Sequence, residues 1–158
     1  MMHSLFRLLA ITTLMSMSLI SASFAGNTKA TKSIAKMHRV AIQVDQNDPA
    51  VMNLALNNAT NIFEHYLKKG EPVEVNIVTY GPGLHMLRDT SPVQDRIKQL
   101  KDLAFPGKIQ FSACNNTKQA MEKREGQSIA ILPEARLVPS GVVTLMELQE
   151  EGWSYVRP

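Results

Sequence analysis

The chain has 158 residues, with 17 Lys or Arg against 14 Asp or Glu, a formal net charge of +3 and a single cysteine. The basic residues are scattered, with short pairs only at Lys68-Lys69 and Lys123-Arg124, which describes a solvated surface and excludes a nucleic-acid-binding stripe. One cysteine excludes an intrachain disulfide, so stability has to come from the packing of one core.

The amino end is expected to lie outside the fold. Arg7 supplies a firm positive charge, and Leu8 to Ile20 (LLAITTLMSMSLI) has the length of a signal-peptide apolar region. Ser23 and Ala25 are the small residues that a cut after Ala25 requires. The stretch is short for a membrane span, which weighs against the alternative of an uncleaved anchor. No cysteine follows it closely, so it is not a lipoprotein signal. Residues 1–25 are therefore expected to be a signal peptide, with periplasmic export and no stable membrane insertion after cleavage. Residues 26–37 form a small, polar, flexible lead-in, and 38–158 form one domain.

His38 to Asp45 reads as a first strand. Asp48-Pro49 opens a helix whose apolar face is Met52, Ala55, Leu56, Ala59, Ile62, Phe63, Tyr66 and Leu67, closed by Lys68, Lys69 and Gly70. Val73 to Tyr80 is a second strand, ended by a tight Gly81-Pro82-Gly83 turn. Ser91-Pro92 starts a helix through Val93, Ile97, Leu100 and Ala104, stopped by Pro106-Gly107.

Lys108 to Ala113 is the third strand. Asn116 as cap, with Gln119 three residues on, predicts the start of the next helix, which Gly126 ends. Arg136 to Val138 is a brief fourth strand, Ser140 caps a last helix closed by Gly152, and Trp153 to Arg157 is a terminal strand. Strands alternating with helices predict an α/β domain: a mostly parallel five-stranded sheet with helices on both faces.

In such a sheet ligands bind beyond the carboxyl ends of the strands. That rule nominates Asp45-Gln46-Asn47, Gly81-Pro82-Gly83, Cys114-Asn115-Asn116 and Pro139-Ser140-Gly141 as one rim. Cys114 is the focus, because a thiol at a helix start faces unpaired N–H groups and the positive end of the dipole, which favour thiolate. Asn115 and Asn116 would supply backbone donors to the sulfur, and Asp45, Gly81 and Gly83 would shape the pocket. A lone cysteine is also commonly a buried, inert small hydrophobe.

Other chemistries lack their patterns. There is no CxxC, no P-loop, no GxSxG and no HExxH or HxxxH spacing, so neither a metal nor a cofactor is expected. A cysteine hydrolase would need a histidine brought close by folding, with His85 the nearest candidate. What a single activated thiol can still do is accept a sulfane sulfur and pass it on.

The segments HRVAIQVDQND, TYGPGLHML and FSACNNT, the Glu125-Gly126 pair and the terminus VPSGV…LQEEGWSYVRP together resemble the DsrE/DsrF-like proteins of YchN-like fold, over roughly His38 to Pro158. The pieces are most similar to an exported branch of that family. The resemblance implies a persulfide-carrying cysteine after a central strand, a place that Cys114 occupies. It also implies homotrimers or homohexamers and a protein that donates or accepts sulfur. The expected function is an exported carrier of sulfane sulfur on Cys114, not a conventional turnover enzyme. The alternative is a small-molecule-binding or oligomeric interaction module in which Cys114 is only packed.

Overall fold

The computed structural model describes residues 36–158, so the expected signal peptide and most of the lead-in lie outside the described residues. The elements follow as β1 (His38–Val44), α1 (Pro49–Lys68), β2 (Val73–Thr79), a 3-10 segment (Gly81–Leu87), α2 (Gln94–Leu103), β3 (Lys108–Cys114), α3 (Asn115–Glu125), β4 (Ala135–Val138), α4 (Gly141–Glu150) and β5 (Ser154–Val156). All strand pairs are parallel, in the order β4-β3-β2-β1-β5. This is the predicted class: a single α/β domain on a five-stranded parallel sheet.

The handedness of the connections decides where the helices go. From β1 to β4 the chain steps across the sheet in one direction, and right-handed crossovers put α1, α2 and α3 on the same face. The step from β4 to β5 runs the other way, which sends α4 to the opposite face. The packing agrees. Val40, Ile42 and Val44 of β1 join Met52, Leu56 and Phe63 of α1, Ile97 of α2 and Met121 of α3 in the main core. Ala41 and Val78, which alternate to the other side, meet Leu145 and Leu148 of α4 in a smaller one. Burying a side chain the size of Phe63 or Leu56 contributes about 2 kcal/mol each, so the larger core carries most of the stability.

Several local readings change. The Gly81-Pro82-Gly83 stretch is not a tight turn but the first part of a seven-residue 3-10 segment. Helix α2 begins at Gln94, later than Ser91-Pro92 predicts, because the Ser91 hydroxyl accepts the Val93 N–H at 3.3 Å and holds a turn before the helix. Asp48 caps α1 as expected, its carboxylate accepting the Ala50 N–H at 2.8 Å. Ser140 holds the cap position of α4 but makes no side-chain capping bond.

Gly83 has a packing reason. A Cβ there would lie 2.1 Å from the Val44 carbonyl oxygen and 2.8 Å from Asp45 Cα, so only glycine lets the 3-10 segment rest on the end of β1. Gly83→Ala should therefore destabilise the fold by about 3 kcal/mol, an overpacking cost, read as a lower midpoint in denaturant unfolding. An unchanged midpoint would show that this contact can relax.

Candidate functional site

Adjacent strands β3 and β4 send their following helices to opposite faces. Such a reversal opens a crevice at the carboxyl ends of the two strands, the place where open α/β sheets bind ligands. Cys114 is the last residue of β3 and pairs in register with Val138, the last residue of β4. The sequence thus puts its one thiol in that crevice, between the amino ends of α3 and α4.

Cys114 is itself the cap of α3. Its sulfur accepts the Thr117 N–H at 3.4 Å, and the helix starts at Asn115. Asn116, the expected cap, is instead the second residue of α3, and its N–H goes to the Pro139 carbonyl at 3.2 Å, which ties α3 to the loop after β4. Gly141, the first residue of α4, brings a second helix start to the same sulfur. A Cβ on Gly141 would meet Tyr80 Cβ at 2.8 Å and the Thr79 carbonyl oxygen at 3.2 Å, so glycine is what permits the approach.

The electrostatics follow from this arrangement. Burial pushes the Cys114 thiol up, since the side chain is only 4% exposed. The Thr117 hydroxyl and the backbone N–H groups of Gly141, Thr117 and Asn116 pull it down and prevail, leaving the thiol below its ordinary value of 9.0. The Thr117 hydroxyl is oriented by a neighbouring contact, because its oxygen accepts the Gly81 N–H at 2.9 Å and so leaves its own hydrogen for the sulfur. Gly81 takes a positive φ of 52°, a conformation that glycine adopts without strain.

The predicted rim residues separate into two groups. Gly81 and Asn116 join Cys114 through Thr117 and the Pro139 loop, and Asn115 is the first residue of α3, beside the sulfur in sequence. Gly83 and Asp45 are not brought to the thiol. Asp45 follows β1, which β2 separates from β3, and its carboxylate accepts from Gln43 Nε2 at 2.9 Å and Arg157 Nη2 at 3.0 Å. Tyr155 completes that cluster, its hydroxyl donating to Gln43 Oε1 at 2.6 Å. Tyr80 lies close by, its phenol raised by burial and by the negative charge of Asp45.

The Pro139-Ser140-Gly141 loop is on the rim that the sequence nominates, whereas Thr117 is not among the site residues read from the sequence. The available signal for Thr117 was its spacing: it stands three residues after Cys114, the distance at which a cap and the third helical residue bond each other.

A groove with a volume of about 390 Å³ runs beside the site between α3 and the 3-10 segment. Gly81, Asn116 and Thr117 form the end nearest the sulfur, although Cys114 does not line it. His85 lies along it, its imidazole lowered by burial and by the Arg88 cation. No group of three His, Cys, Asp or Glu side chains converges as a metal site among the described residues.

The model of the DsrE/DsrF-like family matches residues 38–158, and the chain belongs to that family. It is similar in structure to MTH1491 from Methanobacterium thermoautotrophicum, a protein of unknown function, at 30% identity and a TM-score of 0.64, over 77% of this chain and 99% of that one. BT1422 from Bacteroides thetaiotaomicron, also of unknown function, matches at 16% identity and a TM-score of 0.49 over 75% and 93% of the two chains. The curated proteins give no match.

A lowered thiol retains its thiolate down to lower pH and loses it as pH falls through the lowered value. Reaction of Cys114 with iodoacetamide should accordingly reach half its limiting rate at a lower pH than a free cysteine does. Thr117→Val removes the hydroxyl but keeps the N–H, and should move that midpoint upward. A midpoint that stays in place would take Thr117 out of the site.

Proposed function

We propose that the protein is an exported carrier of sulfane sulfur, with Cys114 as the atom that loads and unloads. The observation that carries this is the place of the Cys114 sulfur: at the end of β3, in register with the end of β4, and accepting the Thr117 N–H at 3.4 Å at the start of α3. Membership of the DsrE/DsrF-like family associates the chain with sulfur relay at the level of the family.

The proposed step is redox-neutral. The Cys114 thiolate attacks the outer sulfur of a donor persulfide R–S–SH, the donor S–S bond breaks, and R–S⁻ leaves while the transferred sulfur keeps its proton as Cys114–S–SH. No metal, second thiol or external oxidant enters. The donors around the sulfur favour the anionic forms before and after transfer.

Export follows from the amino-terminal reading, with a cut after Ala25. Protein isolated from the periplasm without reductant should give an intact mass that begins at Gly26 and includes a species heavier by one sulfur atom. Cys114→Ser should lose the heavier species and keep the processed mass. A full-length mass would overturn export, and an adduct surviving in the variant would overturn Cys114 as its carrier.

The burial of the sulfur favours the second reading, in which Cys114 is a structural cap of α3. A cap substitution costs about 1 kcal/mol, so that reading expects Cys114→Ser to change stability slightly and sulfur content not at all.

Self-association, as a trimer or hexamer, belongs to the same proposal. The outward side of α4 carries Val142, Val143 and Met146 at 51, 45 and 55% exposure. Among the described residues, α4 alone covers its face of a parallel sheet, and such sheets ordinarily have both faces covered. A second copy packed there explains both facts. Met146→Glu should shift the sedimentation coefficient to that of a smaller species, and a wild-type protein that sediments as a monomer at all concentrations would refute self-association.

A further inference from the structure

We infer that the groove between α3 and the 3-10 segment is a binding site for a small anionic organic thiol, the carrier half of the sulfur donor. This rests on the carrier reading of Cys114 and goes beyond it by naming the class of donor.

The groove is built for a compact ligand with an apolar body and a negative end. Pro82, Ala120 and Met121 supply apolar wall, and Asn47 and Asn116 offer amide groups. Among the described residues no carboxylate lines it, and Arg124 is its only formally charged lining residue. That charge is available. The nearest acid, Glu125, is 4.0 Å away, and both of its carboxylate oxygens are already held by Arg88 at 2.9 Å.

His85 adds a neutral imidazole, since burial and the Arg88 and Arg124 cations hold it below its ordinary value. At about 390 Å³ the cavity is at the small end of ligand sites. The polar end formed by Gly81, Asn116 and Thr117 is also the end that supplies donors to Cys114. A thiol anchored by its anion at Arg124 would present its sulfur toward that end.

The test separates groove from carrier. Cys114→Ser protein is titrated with 3-mercaptopropionate, 2-mercaptoethanol and 2-aminoethanethiol, which differ in charge at similar size, while the amide resonances of Thr117, Ala120 and Arg124 are followed. The anionic thiol should saturate the shifts, with the neutral and cationic ones weaker by about three- to fivefold or more, the range of a solvent-facing charge pair. Arg124→Gln, an exposed change that leaves the core alone, should remove the ranking, and Ala120→Trp should fill the groove and abolish binding of all three. Equal affinities, equal binding of acetate, or shifts that map elsewhere would overturn the inference.

In parallel, the wild-type chain is offered inorganic polysulfide and 3-mercaptopropionate persulfide. Loading by both, faster from the persulfide and dependent on Arg124, supports the groove. Loading by polysulfide with no Arg124 dependence for the persulfide overturns the groove and leaves the carrier. No loading from either donor refutes the carrier and the donor role, whatever the titration shows of thiol binding.

Discussion

The preference of parallel strands for right-handed crossovers fixes the position of everything chemical in this molecule. Three successive steps across the sheet in one direction commit α1, α2 and α3 to one face. A fourth step in reverse commits α4 to the other, and the reversal falls between β3 and β4. The crevice there is a by-product of topology, available before any side chain is chosen. Cys114, Thr117 and Gly141 occupy it from three different positions: a strand end, the first turn of one helix and the first residue of another.

Two opposing influences act on the sulfur. Removing it from water favours the neutral thiol, and this is the largest single one. Against it stand the Thr117 hydroxyl and the backbone N–H groups of Gly141, Thr117 and Asn116, each smaller, with the Thr117 N–H bonded to the sulfur itself. Their sum prevails because they are fixed by elements that pack elsewhere: Met121 anchors α3 in the main core, and Leu145 and Leu148 anchor α4 in the smaller one. Donors held by packing need no reorganisation when charge develops, which is what makes them effective in a buried place. The tight seat of Gly141 against Tyr80 serves the same end.

Much of this was legible in the sequence, and the parts that were not have identifiable causes. The strands and α1 announce themselves by β-branched runs and a three-to-four-residue apolar period. Cys114 was visible as the single thiol at a strand-to-helix junction. Its capping role was hidden, because Asn116 is the better cap by propensity and cysteine is not among the preferred caps. Gly83 looked like a rim residue because its position suited a turn, whereas its reason is the backbone of Val44. Asp45 lies on the same carboxyl-end rim but does not reach the thiol, since strand order puts β2 between them. Pairwise facts of this kind depend on which strands are neighbours, and no local pattern encodes that.

The sulfur that caps α3 is also the atom proposed to carry cargo, and this couples loading to local structure. A second sulfur extends the side chain by one S–S bond, about 2 Å. The acceptor that satisfies the Thr117 N–H must then be shared between two atoms, or the outer sulfur must take over one of the donors from Gly141 or Asn116. Loaded and empty protein would differ in the first turn of α3 and, through Thr117, in the hold on Gly81. A partner touching that turn could distinguish a full carrier from an empty one without contacting the sulfur at all.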